Sequence, residues 1–282
     1  MMKVGIGDEW FRKRFGREQA YEVICRHGYD CVDYQNFVST ETPMFQERKN
    51  EFDAIVREEQ KMISSFGLEI FQVHAPWRWP TRDRKAEDRA ERFEKMCMAI
   101  RGTALLGSRF FVIHPLLPWW DLVGDDQQLF DINFDFMTRL CDVAEKNGVV
   151  LCFENMPMPA VSLATPAACL EFARKINSPW FKICLDTGHC SCCDVDPAEA
   201  VRMLGSDMLK TLHVHDNNGR HDLHWVPYTG VIDWDAFAGA LQEIGYDGCL
   251  NVECVPPKKF PDDIFDIQNR SLYLSACKLA GR

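Results

Sequence analysis

Eight times along this 282-residue chain, a short apolar run rich in β-branched and aromatic residues is followed by a longer stretch with helical periodicity. That alternation is what parallel βα units require. The candidate strands are Val4–Gly7, Cys31–Asp33, Glu69–His74, Arg109–His114, Val149–Glu154, Phe181–Asp186, Leu209–His215 and Cys249–Glu253. Helical candidates lie near 18–27, 50–66, 85–106, 128–147, 166–176, 197–204, 234–245 and 262–279. Gly28, Gly67, Gly107, Gly148 and Gly245 each stand shortly before a strand, where a helix closing on a left-handed residue calls for glycine. Length alone would allow one domain or two. No Ser/Gly linker, low-complexity tract or long charge block divides the chain, and the charge-rich 82–94 stretch reads as a solvated helix start. The expected fold is therefore α/β, a single (β/α)8 TIM barrel spanning 1–282.

At 46% hydrophobic and 26% charged residues the chain can bury a sizeable core, which excludes a disordered segment. A net charge of -10 supplies no global positive field for phosphate backbones or anionic lipid, so a small molecule is the expected partner, nucleic acid is not, and neither is a membrane. Thirteen cysteines form an odd set, and the first residues, MMKVGIGDEW, contain no apolar signal-peptide core. A reducing cytoplasm is the expected compartment. The cluster Cys190, Cys192, Cys193 has no CxxC partner and reads as small residues packed beside a loop.

The candidate strands end in polar residues that an ordinary buried strand would avoid: His74, His114, Glu154, Asp186, His213 with His215, and Glu253. In a barrel the C-terminal ends of all strands open on one mouth, so these side chains converge. Taken singly, each has a duller role, such as a hydrogen-bonded histidine, a helix cap or a turn. Together, carboxylates and imidazoles in one partly buried pocket call for a cation to hold them, and a divalent metal is the expected cofactor.

The segments VHAP (73–76), IHP (113–115), FENMP (153–157), CLDTGH (184–189), HVHDN (213–217), DLH (222–224), TGVIDW (229–234) and NVEC (251–254) resemble the strand-end motifs of the xylose-isomerase-like TIM-barrel superfamily. That superfamily contains sugar isomerases, epimerases and endonuclease IV. The resemblance runs from the third strand to the eighth; the first two add only a weak VGIG. In the isomerase and epimerase branch it implies one divalent ion (Zn, Mn, Mg or Co) held by Glu154, Asp186, His213 and Glu253. His213 is preferred to His215 because the family's H-x-x-D places the ligand three before an aspartate, here Asp216. His189 is implied to contact substrate in that branch.

In the endonuclease branch the resemblance implies up to three zinc ions, with His74, His114, His189, Asp222 and His224 as further ligands. The chain departs from that branch in three ways. FENMP lacks a following glycine-rich stretch, Gly188 stands where cysteine is common, and basic residues are not concentrated.

The function expected from this combination is a metal-dependent sugar or sugar-phosphate isomerase or epimerase, working by proton transfer through an enediolate, with Glu154 and Glu253 as the acid–base pair. A dehydratase would use the same chemistry. The alternative is an endonuclease IV-like zinc hydrolase of abasic DNA, and a barrel that binds metal without turnover is disfavoured by the presence of both glutamates. Arg220 and His221 follow the seventh strand and could meet substrate oxygens, though a solvated loop fits them equally. Trp77, Trp79, Trp119 and Trp120 border the same mouth as candidate walls for a sugar's C–H faces. They suit a subunit interface as well, so a homo-oligomer stays open.

Overall fold

The computed structural model describes residues 2–77, 83–118, 125–254 and 259–282. The eight expected strands all form: β1 (Lys3–Gly7), β2 (Cys31–Tyr34), β3 (Glu69–His74), β4 (Phe110–Ile113), β5 (Val150–Glu154), β6 (Phe181–Asp186), β7 (Leu209–His213) and β8 (Cys249–Val252). They pair in parallel in the order β7-β6-β5-β4-β3-β2-β1-β8, with helices between them, as a single (β/α)8 TIM barrel. Most neighbours share a ladder of three or four residue pairs. The last seam, between β7 and β8, is closed by one parallel bridge, Val214 to Val252. Val214 N there donates to Asn251 O at 2.8 Å, and Glu253 N donates to Val214 O at 3.1 Å.

The helices are α1 (Glu9–Phe15), α2 (Arg17–His27), α3 (Phe52–Ser65), α4 (Ala86–Leu105), α5 (Asp126–Asn147), α6 (Pro166–Ile176), α7 (Thr187–Cys192), α8 (Pro197–Met208), α9 (Trp234–Glu243) and α10 (Asp262–Leu279). Of these, α1 and α7 were not expected from the sequence, because at seven and six residues they are too short to show a helical period. The α7 helix starts where Asp186, the last residue of β6, caps it by accepting from His189 N at 2.7 Å. Gly28 and Gly148 close α2 and α5 in the left-handed conformation, at φ 98° and 67°.

Three strands stop short of their expected ends, β4 at Ile113, β7 at His213 and β8 at Val252, so His114, His215 and Glu253 stand just beyond them. Strand alternation then decides what faces the barrel interior. Phe153 faces outward, its ring 5.1 Å from Phe172 of α6 and 5.4 Å from Phe181 of β6, so its neighbour Glu154 faces in. The aromatic layer between sheet and helices thus fixes the register of the polar strand ends. All thirteen cysteines are free thiols, with Cys190 buried beside Asn155 and Cys192 beside Asn217. Among the described residues no helix is long and apolar enough to cross a membrane.

Close packing of the outer layer is testable at Gly102 of α4, where an added Cβ would lie 2.6 Å from Phe37 Cζ and 3.0 Å from Phe52 Cζ. Alanine gains about 1 kcal/mol in helix propensity, while overpacking a core costs about 1–3 kcal/mol. Gly102→Ala is therefore expected to lower the unfolding free energy measured in urea, with an unchanged m-value. A stabilised variant would show that the aromatic layer yields.

Candidate metal centre

The expected strand-end residues do converge. Glu154, buried at the tip of β5, receives a hydrogen bond on each oxygen, from His114 Nε2 at 2.8 Å and from His213 Nδ1 at 2.8 Å. His74 Nε2 stands 3.9 Å from the same carboxylate. Glu253 turns Oε2 toward His213 Nδ1 at 3.4 Å and accepts on Oε1 from Gln35 Nε2 at 3.0 Å. One ligand atom each from Glu154, Asp186, His213 and Glu253 lies within 4.8 Å of the others.

Beside this group lies a second. His189, His215 and His224 direct their Nε2 atoms at the carboxylate of Asp222, at 3.4, 3.6 and 3.2 Å. Each ring has its Nδ1 turned to a backbone carbonyl: Asn155 O at 2.7 Å for His189, Asp216 O at 3.4 Å for His215, and Glu253 O at 2.7 Å for His224. His74 is held in the same manner by Ala75 O at 2.9 Å. Imidazoles pinned through one nitrogen present the other in a fixed direction, which is how protein scaffolds prepare metal-binding histidines. Asp186 joins the groups, since His215 Nε2 lies 3.1 Å from its carboxylate.

Two further motif residues, Asn155 and Asp216, hold these groups in place. Asn155 donates to Asp186 O and accepts from Asp186 N. Asp216 accepts from Gly230 N, Ile232 N and Trp234 Nε1, so it anchors the loop that carries Asp222 and His224.

Burial raises the carboxyls of Glu154 and Asp186, but the imidazoles facing them outweigh it. His213 and His114 hold Glu154 well below the usual carboxylate range, and His189 and His215 hold Asp186 below it. Burial lowers the imidazoles, yet Glu154 and Glu253 keep His213 well above its ordinary value. Asp186 and Asp222 lift His189 to about 10, and Asp222 and Glu253 lift His224 to about 9. In His114 burial wins over Glu154 and leaves the ring below its ordinary value, with Nδ1 lacking any partner. Among the described residues no lysine or arginine pairs with these carboxylates; histidines alone do. Carboxylate oxygens with imidazole nitrogens are a donor set that divalent cations of hard to borderline character accept.

The mouth above them is a pocket of about 680 Å³, open to solvent and lined by Gln35, Val38, Trp77, Met156, Met158 and the polar cluster. Trp77 stands edge-on to His114, with centroids 4.6 Å apart. Arg220 and His221 are exposed, and neither lines this pocket. Asn218 Oδ1 accepts from the backbone N–H groups of Arg220 and His221, both at 3.0 Å, and so shapes the turn that carries them. Trp79, Trp119 and Trp120 lie outside the described residues. Sequence reading missed Asp33 and Gln35. Asp33 Oδ2 accepts from His213 Nε2 at 3.0 Å, and its place at the end of β2 was the signal available.

The molecule is thus a parallel (β/α)8 barrel with a carboxylate–imidazole cluster at the C-terminal mouth. The chain belongs to the family described as xylose isomerase-like TIM barrel, which it matches over residues 22–269. An uncharacterized protein of Methanocaldococcus jannaschii is 33% identical over 263 residues, covering 89% of this chain and 83% of that protein. Inosose isomerase of Bacillus subtilis is 25% identical over 162 residues, covering 55% of this chain and 57% of the relative. A solved D-tagatose 3-epimerase-like protein superposes with a TM-score of 0.77 at 26% identity, covering 100% of both chains. The IOLI protein, solved with a zinc atom bound, has a TM-score of 0.74 at 18% identity, covering 99% of this chain and 96% of its own, and so shares the fold. Characterised relatives of this chain are thus sugar isomerases and epimerases.

Gly188 and His215 share one space. A Cβ on Gly188 would lie 1.9 Å from His215 Cε1, so the ring fills the place where a side chain at 188 would stand. Gly188→Ala is expected to expel the ring from Asp186 and from its stack on His224, and to destabilise the protein by about 1–3 kcal/mol. His215→Ala should relieve most of that cost in the double variant, a coupling read by thermal unfolding of all four proteins. Additive effects would contradict the shared space.

Proposed function

We propose that this protein is a divalent-metal-dependent sugar or sugar-phosphate isomerase or epimerase. The ion is held by Glu154, Asp186, His213 and Glu253, and Glu154 and Glu253 form the acid–base pair. The observation that carries the reading is the pairing of those two glutamates across His213 at the floor of one pocket. A bound divalent ion would polarise a substrate carbonyl and its neighbouring hydroxyl, acidifying the adjacent C–H.

The residues divide the remaining work. Glu253, whose side chain is 19% exposed, is the more accessible base, and its carboxylate takes the carbon-bound proton as the electron pair moves to the carbonyl oxygen. Glu154, buried with both oxygens engaged, takes a proton from the substrate's hydroxyl and passes it to that carbon or its neighbour, while Glu253 returns its own proton to the oxygen left behind. His189 supports substrate oxygens, and Trp77, Val38 and Met156 give a sugar's C–H face an apolar wall. The pocket chemistry is that of small carbohydrates, in keeping with the relatives.

A second reading, endonuclease IV-like zinc hydrolysis, draws on the group His189, His215, Asp222 and His224, which offers a site for a further ion, and on His74 and His114 beside Glu154. The acidic chain and a pocket whose described lining lacks lysine and arginine favour the sugar.

With a ketose that turns over in heavy water, deuterium is expected on carbon. At saturating metal, Glu154→Gln and Glu253→Gln should each reduce kcat roughly 10²-fold or more. Near wild-type turnover by either variant would make that residue a ligand only.

Metal binding should also displace protons, because ligand imidazoles must be neutral. Among the proposed ligands His213 is held above its ordinary value, Glu154 and Glu253 outweighing its burial, so affinity is expected to rise as pH increases from 6 toward 9. Calorimetry at pH 7 in buffers of different ionisation enthalpy should register net proton release. Zero release would count against imidazole ligation.

A further inference from the structure

Strand β2 contributes none of the four ligands proposed above, yet it places a carboxylate against one of them. Asp33 is wholly buried, and Oδ2 accepts from His213 Nε2 at 3.0 Å. Its other oxygen has no protein partner, and among the described residues no lysine or arginine pairs with it. Burying a carboxylate is costly, and a single imidazole contact is a poor structural return for it.

The backbone around the pair is equally specific. Register shifts interrupt two of the barrel's ladders, β2–β3 between Val32 and Asp33 and β6–β7 between Ile183 and Cys184. They therefore fall on the ladders of the two strands that carry Asp33 and His213. Such irregularities re-aim the side chains that follow them.

We propose that Asp33 is a positioning residue for the metal centre, acting through His213. Its carboxylate holds the Nε2 proton and so fixes Nδ1 toward Glu154 Oε1 at 2.8 Å and Glu253 Oε2 at 3.4 Å. A carboxylate behind a ligating imidazole also makes the facing nitrogen a stronger donor. The proposal rests on the reading of His213 as a ligand, and it adds that the second strand determines how well that ligand binds.

The test uses the whole chain stripped of metal and titrated calorimetrically with Zn²⁺, and separately with Co²⁺ to record the visible spectrum. Asp33→Asn is expected to weaken binding 10–100-fold and to alter the cobalt bands, since the amide can still accept from Nε2 but carries no charge. Thermal unfolding of the metal-free variant should be no lower than wild type, because a neutral amide is easier to bury. Asp33→Glu, which restores the charge, should bind more tightly than Asp33→Asn, and in a His213→Gln background Asp33→Asn should have no further effect on affinity. Wild-type affinity and an unchanged cobalt spectrum in Asp33→Asn would overturn the proposal while leaving the metal centre standing. Equal effects of Asp33→Asn with and without His213 would overturn it too, by showing a purely structural role. Failure of the wild-type chain itself to bind either ion would overturn the metal reading, and this proposal with it.

Discussion

The carboxylate of Glu154 is the interaction on which the site depends. It is buried at the tip of β5, with one imidazole on each oxygen and no lysine or arginine near it among the described residues. A charge in that position is tolerated only if its surroundings are built around it. The surroundings comply: His114 arrives from the loop after β4, His213 from β7, and His74 from β3. Each follows a fully buried apolar residue, Ile113, Leu212 and Val73 respectively. The aromatic packing of Phe153 on Phe172 and Phe181 and the geometry of the carboxylate–imidazole cluster are therefore one problem for the sequence, since a slip of one residue in β5 would exchange Phe153 for Glu154.

Much of this was legible beforehand because it repeats. Eight apolar runs with polar ends gave the barrel, and Glu154, Asp186, His213 and Glu253 were recognisable as the residues whose polarity broke the pattern of a buried strand. What escaped notice had no period to betray it. The short helices α1 and α7 are one or two turns long, and α7 exists because Asp186 caps it. Arg220 could be placed after β7 but not oriented, as its direction follows from a turn built on Asn218. Asp33 was legible in principle, standing at the end of its own expected strand, but a lone aspartate beside weak motifs looks like a turn until His213 is seen 3.0 Å away.

The two histidines of HVHDN show how a backbone irregularity multiplies function. Two residues apart, they would be expected to serve one site together. Because β7 ends at His213 and the chain then turns to form the closing bridge, His213 faces Glu154 and Glu253, while His215 drops into the slot left by Gly188 and faces Asp186 and Asp222. One tripeptide thus serves two adjacent donor groups. Asp216, next along, serves neither and instead anchors the loop that completes the second.

The seam of the barrel has a bearing on its motions. Where most strand pairs share a ladder, β7 and β8 are joined among the described residues by the one bridge of Val214 to Val252, so this is where a transient opening breaks the fewest ladder hydrogen bonds. His213 and Glu253 lie directly on either side of that seam. A cation held by both, as proposed, would clasp that join, and slow amide exchange at Val214 and Glu253 would then report its binding. Breathing of the barrel and release of such an ion would be one event.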